Sequence, residues 1–399
     1  MNAGSAGLRR WTQRFTIASA GAFVAFLPAP LVGTGHRTAV LIGLFGFVCP
    51  MIFGMGYLLL PAYAGRTLVD YRLAGFHFGL AYLGAALIVG GWIRDGIGTL
   101  FTAGAALWAL GVATFVGALL ATIGPVLVTE PAAVLRFGDR PQRSTRLATA
   151  VLPVAVGYLL VGTIALLEVT PLLGLTDGSI RPAQVSHYYA IGFGALLVFA
   201  LGARLLVGFY HVTPPRSLVW LLLLSGVVAP GLLGTVRWQG PWFRIGAGSA
   251  AVAMGCYAAV IAFVAVRTDR SRVELSGIAF GALAGVLAVV ASGSLLLGNG
   301  VRNALLLHRT FVLAGFFPLT ITGYAFQFFP VATGRVPGAT ARGVAATIGA
   351  LAVGVAAQGL GIAGQLELVR SFGIGLSLLG AIGYLYLVVG RFANFELEV

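Results

Sequence analysis

Apolar residues run along this chain in long blocks, separated by short segments where arginine, glycine and proline gather. Twelve blocks stand out, at approximately 15–34, 38–60, 73–92, 99–122, 148–170, 186–209, 217–236, 245–266, 276–297, 304–329, 342–363 and 371–391. About twenty apolar residues suffice for a helix to cross the hydrocarbon core. A membrane β-barrel would instead alternate apolar and polar positions over about ten residues per strand. The pattern therefore predicts twelve transmembrane helices. The longest polar connection, 125–147, contains RFGDRPQRSTR, and RTDRSRVE at 267–274 is the next basic loop.

Composition agrees. Of 399 residues, 59% are hydrophobic and 9% charged, against about 25% charged in a soluble domain. The 58 glycines would weaken soluble helices but let membrane helices approach closely. The fold class expected is an all-α integral membrane protein, a single domain over 1–399.

The net charge of +14 comes from arginine, because the chain has no lysine. On a soluble protein such a balance would point to nucleic acid. Here the arginines occupy loops and span ends, which excludes nucleic acid as the expected partner and makes the lipid bilayer the partner. With the N-terminus inside, cytoplasmic segments hold 17 arginines and outer segments 8. Positive residues favour the cytoplasmic side, so the expectation is a multi-pass protein of the inner (cytoplasmic) membrane, N-in and C-in. The basic start MNAGSAGLRRWTQR carries no convincing cleavage site and is expected to be retained. Cys49 and Cys256 lie within apolar runs and are expected as buried thiols. No CxxC pair, phosphate loop, nucleophile triad or dinucleotide fingerprint is present.

Two spans open alike. HRTAVLIGLF at 36–45 and HRTFVLAGFF at 308–317 share His-Arg-Thr, Val-Leu and Gly at identical spacing. Beyond them Gly46-Phe47, Gly54, Pro61 and Gly65-Arg66 recur without a gap as Gly315-Phe316, Gly323, Pro330 and Gly334-Arg335. This second register is three residues shorter than the one joining the two His-Arg-Thr starts. A weaker third copy, Gly192-Phe193 with Ala200 and Gly202, lies in the sixth span. Copies in spans 2, 6 and 10 have a stride of four. They predict three quasi-equivalent four-helix arcs, at approximately 1–122, 148–266 and 276–391.

Histidine follows the same stride. His36, His187 and His308 all stand at the outer ends of spans 2, 6 and 10, where equivalent helices would hold three imidazoles at one depth. Imidazole ligates haem iron and copper, which makes the three candidate metal ligands. Any one of them also fits an ordinary interfacial histidine. His77, in span 3, reads as a buried histidine bonded to a neighbouring helix. His211 and Arg204 belong to the inner end of span 6, where Arg204 can snorkel towards headgroups.

Twelve helices in three quartets, with histidines on the second, sixth and tenth, resemble the haem–copper oxidase subunit I superfamily of cytochrome oxidases and nitric oxide reductases. In the tenth span His308-Arg309-Thr310 runs to Phe328-Phe329-Pro330 and Gly334. Counting back from the proline, His308 matches that superfamily's high-spin haem ligand, and Thr310 stands where its low-spin ligand should be. In span 2 the same count puts Thr38 at the expected histidine and His36 two residues earlier. His187, Gly192, Arg204 and Gly208 also resemble the spacing of NnrS-type haem- and copper-containing membrane proteins, which are linked to nitric oxide.

The resemblance implies haem, and copper beside it, held by His36, His187 and His308. It also implies propionate partners in Arg37, Arg309 and Arg370, an electron-donor protein as partner, and an oxidoreductase role. The departures are specific. Span 7, SLVWLLLLSGVVAPGLLG, lacks the superfamily's histidine pair. No lysine exists, and no Asp or Glu lies mid-span, so the usual proton channels of a pump are missing. Two readings stand: a degenerate, haem-binding and non-pumping relative, or a metal-free transporter, sensor or accessory subunit. For the second, Pro28, Pro30, Pro50, Pro230 and Pro318 are candidate helix breaks shaping a substrate site.

Overall fold

The computed structural model describes residues 3–31, 33, 35–130, 143–174, 180–235, 240–270, 273–296, 303–331 and 336–395. Twelve long helices fill them: α1 (Ala3–Phe26), α2 (Gly35–Tyr63), α3 (Arg72–Asp95), α4 (Thr99–Thr129), α5 (Arg143–Glu168), α6 (Pro182–Tyr210), α7 (Arg216–Thr235), α8 (Pro241–Arg267), α9 (Val273–Leu296), α10 (Ala304–Phe328), α11 (Ala341–Gly364) and α12 (Glu367–Phe395). Among the described residues there is no strand, and eleven helices are long and apolar enough to cross a membrane. The protein is a multi-pass helical membrane protein. α1 is the helix outside the eleven. Its first half carries Arg9, Arg10 and Arg14, and Pro28 and Pro30 end it in a turn at 27–31, short of the expected boundary at 34. The basic segment 131–142 and the pair Gly334-Arg335 lie outside the described residues.

Three helices are not α-helical throughout. α2, α6 and α10 each contain one stretch of π-helix, at Ile42–Val48, Tyr188–Ala195 and Phe311–Phe316. Each begins four residues before the glycine of its Gly-Phe pair, at Gly46, Gly192 and Gly315. A π turn keeps i→i+5 hydrogen bonds while absorbing an extra residue. Pro50 and Pro318 each stand two residues after the turn in α2 and α10. A proline has no N–H to return and crowds the carbonyl behind it, so a wider turn there relieves the clash. α6 has its π turn without a proline. The prolines expected to break α2 and α10 each stand just after a π turn, and both helices continue past them.

The chain divides into two compact units. The first comprises 1–19, 44–204 and 223–246, the second 20–43, 205–222 and 247–399. In the first, α3 and α4 form a hairpin closed by facing glycines: a Cβ on Gly104 would stand 2.8 Å from the Gly84 carbonyl oxygen, and one on Gly84 would stand 3.0 Å from the Gly104 oxygen. In the second, Gly354 and Gly373 do the same for α11 and α12, at 2.8 and 2.6 Å. Gly104 and Gly373 are separated by the same spacing as Gly46 and Gly315. So are the residues that end α3 and α11 in positive φ, Gly96 (72°) and Gln365 (57°). Gly54 packs against Phe15 of α1, and its counterpart Gly323 packs against Ile278 of α9.

The first unit's interior is aromatic. Phe53 meets His77, Phe115, Trp108 and Phe193 with ring centroids 4.6–5.7 Å apart. Tyr57 and Phe115 cross edge-on at 5.0 Å; at the same spacing along the chain, Phe326 and Tyr384 do so at 5.6 Å in the second unit, with the hydroxyl on the opposite helix. One buried hydrogen-bonded chain has a fixed direction. The Trp108 indole donates to the Tyr189 hydroxyl (3.0 Å), which donates to Thr163 (2.8 Å), which donates to the Leu159 carbonyl (2.8 Å). Indole can only donate and a carbonyl can only accept, so the two hydroxyls between them have no choice. Cys49 and Cys256 are buried free thiols.

A valine at Gly104 must push α3 from α4, whereas at Gly117 of the same helix nothing lies within 4 Å of the added Cβ. Gly104→Val is expected to lower stability in detergent by about 2 kcal/mol, and Gly117→Val by a few tenths. At Gln365 a left-handed backbone strains any side chain, so Gln365→Gly should raise stability by about 1 kcal/mol. Denaturant titration of the purified variants measures all three.

Candidate functional site

Five of the six residues expected to hold a cofactor fall in the second unit, near the N-terminal ends of three helices. His36 and Arg37 open α2, His308 and Arg309 lie in the second turn of α10, and Arg370 is in the first turn of α12. Arg309 and Arg370 are within electrostatic range of His36, and Arg37 is within range of Arg309. Helix N-termini carry partial positive charge and favour anions. Arginine in these turns opposes that preference, so the residues concentrate positive potential at one place. Glu367 supplies an acid, holding the Arg370 guanidinium at 3.1 Å, but its side chain is 68% exposed. What such a cluster accommodates best is a carboxylate or phosphate.

His308 is the best-defined member. Its Nδ1 lies 2.9 Å from the backbone oxygen of Ala288 on α9. A carbonyl can only accept, so Nδ1 carries the proton and, in the neutral ring, Nε2 carries the lone pair. No hydrogen bond among the described residues engages Nε2. An imidazole with one nitrogen tied to a carbonyl and the other free has the form of a metal ligand with its outer-shell support in place. His36, by contrast, is exposed.

His187 is a residue of the first unit, half-buried, and the last before the π turn of α6. Just before it, Gln184 fixes the start of the helix, accepting from the Arg181 N–H at 2.7 Å and donating to the Gly234 carbonyl at 2.8 Å. The three histidines are not at matching positions: His36, His187 and His308 stand six, one and three residues ahead of their π turns. At about 1.5 Å per residue they differ in height along their own helices. Among the described residues no group of three or more His, Cys, Asp or Glu side chains is arranged to hold a metal ion.

Glycine near the histidines suggests from spacing alone a gap for a flat macrocycle, at Gly315 beyond His308 and Gly43 beyond His36. The structure fills both places. A Cβ on Gly315 would stand 2.7 Å from Ala284 and 3.2 Å from Val355, and one on Gly43 would stand 3.5 Å from Leu313 and from Phe26. These glycines serve helix packing.

His77 is fully buried in the first unit, its Nδ1 3.1 Å from the Tyr57 hydroxyl of α2, as expected of a histidine bonded to a neighbouring helix. Phe15, Phe53 and Phe115 surround it, and its Nε2 is buried without a hydrogen bond. Leaving that nitrogen unpaired costs about 1–3 kcal/mol. Arg204 does not snorkel: it is buried, stacked 4.1 Å over the Tyr63 ring and bonded to Thr149. His211 is exposed and ends α6 in a left-handed conformation.

Sequence reasoning missed two partners. The Ala288 carbonyl is backbone and leaves no trace in residue type. Glu367, three residues before Arg370, was readable as an i,i+3 pair. Compared with known proteins, the chain matches no family model and no curated protein sequence.

Proposed function

We propose that the protein is a haem-binding, non-pumping membrane protein, a degenerate relative of the haem–copper oxidases, with His308 as the axial ligand. The observation that carries this is the His308–Ala288 bond, which leaves the Nε2 lone pair to an external partner. The donors fit the group. Nε2 suits iron, and Arg309 with Arg370 and Arg37 supplies the positive charge that two propionates require. His36, within range of the same arginines, is the next candidate ligand. When bound, haem would supply redox chemistry and a coordination position for a diatomic gas such as nitric oxide. The protein's own part is to orient the imidazole through Ala288 and to neutralise the carboxylates. An electron-donor protein is the partner this role requires.

In this reading the N-terminal ends of α2, α10 and α12 face the outside of the inner membrane, both termini being cytoplasmic. The support is the bias of 17 arginines to 8 between the two sides. A reporter enzyme active only in the periplasm, fused after Val399, should be silent, and strong activity would reverse the orientation.

Protein produced with ample haem should show a Soret band that shifts on reduction. His308→Ala should lower bound haem per protein by at least roughly tenfold while leaving insertion and yield intact. Arg309→Gln should weaken retention less, and His211→Ala should change nothing. Wild-type protein without Soret absorption would sink the proposal.

A further inference from the structure

We infer that the π turn of α10 is a positioning device, because the one residue it absorbs brings His308, in place of Arg309, to the backbone of α9. Gly323 and Phe316 are seven residues apart and both face α9. A Cβ added at Gly277 would stand 3.2 Å from the Gly323 Cα, and one added at Gly281 or Gly285 would stand 3.1 Å from Phe316. Seven residues make just under two turns of α-helix, so one face recurs with a drift of about 20°. Another seven residues along a regular helix would reach Arg309. His308 would then lie about 80° round the helix from Phe316.

The observed contact is the other one. His308 bonds Ala288 at 2.9 Å, and its neighbour Leu307 packs with Ala291 of α9. Between Phe316 and His308 lies the π turn Phe311–Phe316, which takes up the eighth residue and restores the register. The same turn decides where the arginine goes. Arg309 is displaced from α9 and stays within range of Arg37 and His36. In a regular helix the guanidinium would meet the Ala288 carbonyl and the imidazole would leave it. A single supernumerary residue thus separates the imidazole from the cationic cluster. This holds whatever His308 binds, so a protein without haem would leave it standing.

Deletion and insertion in an ordinary α-helix are equally disruptive, each turning the far end by about 100°. Here they should differ. In a background with Cys49→Ala and Cys256→Ala, two cysteine pairs report the register: Ala288→Cys with His308→Cys, and Ala288→Cys with Arg309→Cys. With a short bifunctional thiol reagent, the 288–308 pair should crosslink roughly tenfold faster than the 288–309 pair. Deleting Val312 removes the extra residue, so the preference for 288–308 should persist and the protein should still insert. Adding one alanine after Val312 supplies a second extra residue that one turn cannot absorb, and the preference should pass to 288–309. Loss of the preference on deletion, or its survival on insertion, overturns the inference. So does failure of both the Val312 and Ala314 deletions to yield folded protein, because a supernumerary residue must be removable.

Discussion

Inside hydrocarbon no water is available to a backbone amide, and an unpaired N–H or C=O costs several kcal/mol. That constraint governs the whole of this structure. It makes the spans helical, and it limits how a helix can depart from regularity. The three departures in α2, α6 and α10 are π turns, which change the register and keep the backbone bonded. Where proline removes an N–H, at Pro50 and Pro318, the helix widens and continues. The close approach of the helices obeys the same rule from outside. With each backbone satisfied internally, two helices gain most by dispersion contact, and Gly84 with Gly104, or Gly354 with Gly373, brings backbone against backbone.

The sequence carries the membrane fold plainly, because a block of apolar residues long enough to span has few other uses. Eleven of the twelve expected spans are long apolar helices with ends close to those read from the polar punctuation. The end expected for the first span, at 34, shows the limit. Hydropathy continues through Leu27 to Val32, but α1 stops at Phe26, ahead of Pro28 and Pro30. Register was legible in part. The Gly-Phe pairs led to the second, sixth and tenth spans, and the facing glycines Gly104 and Gly373 kept the same spacing unremarked. What no residue type announces is a π turn, since it is an extra residue in a sequence that still reads as helix. Counting from His308 to Gly315 as if the helix were regular placed the glycine on the histidine's face. The wide turn between them, and Ala284 and Val355 against the glycine, make it a packing contact.

The candidate site divides in the same way. Side chains that act through charge were visible: Arg37, Arg309 and Arg370 were placed at helix ends by topology, and they do gather around His36 in the second unit. The feature that gives His308 its chemistry was invisible, because the partner is the carbonyl of an alanine. Threefold reasoning also overstated the likeness of the histidines. What the equally spaced positions share is what packing demands, such as the glycines and the crossed rings of Tyr57 with Phe115 and Phe326 with Tyr384. The histidines at the helix mouths, where neighbours impose less, keep no common position relative to the π turns.

The buried chain from Trp108 through Tyr189 and Thr163 to Leu159 has one more consequence. A proton wire needs links that can turn round after each passage, so that the hydroxyl that has just given a proton can receive the next. Here the first link is an indole N–H that does not ionise in water's pH range, and the last is an amide oxygen that takes up no proton under those conditions. Both hydroxyls between them are locked in one orientation. This buried polar file is therefore a strut, a polar seam that holds three helices together and carries no charge across them.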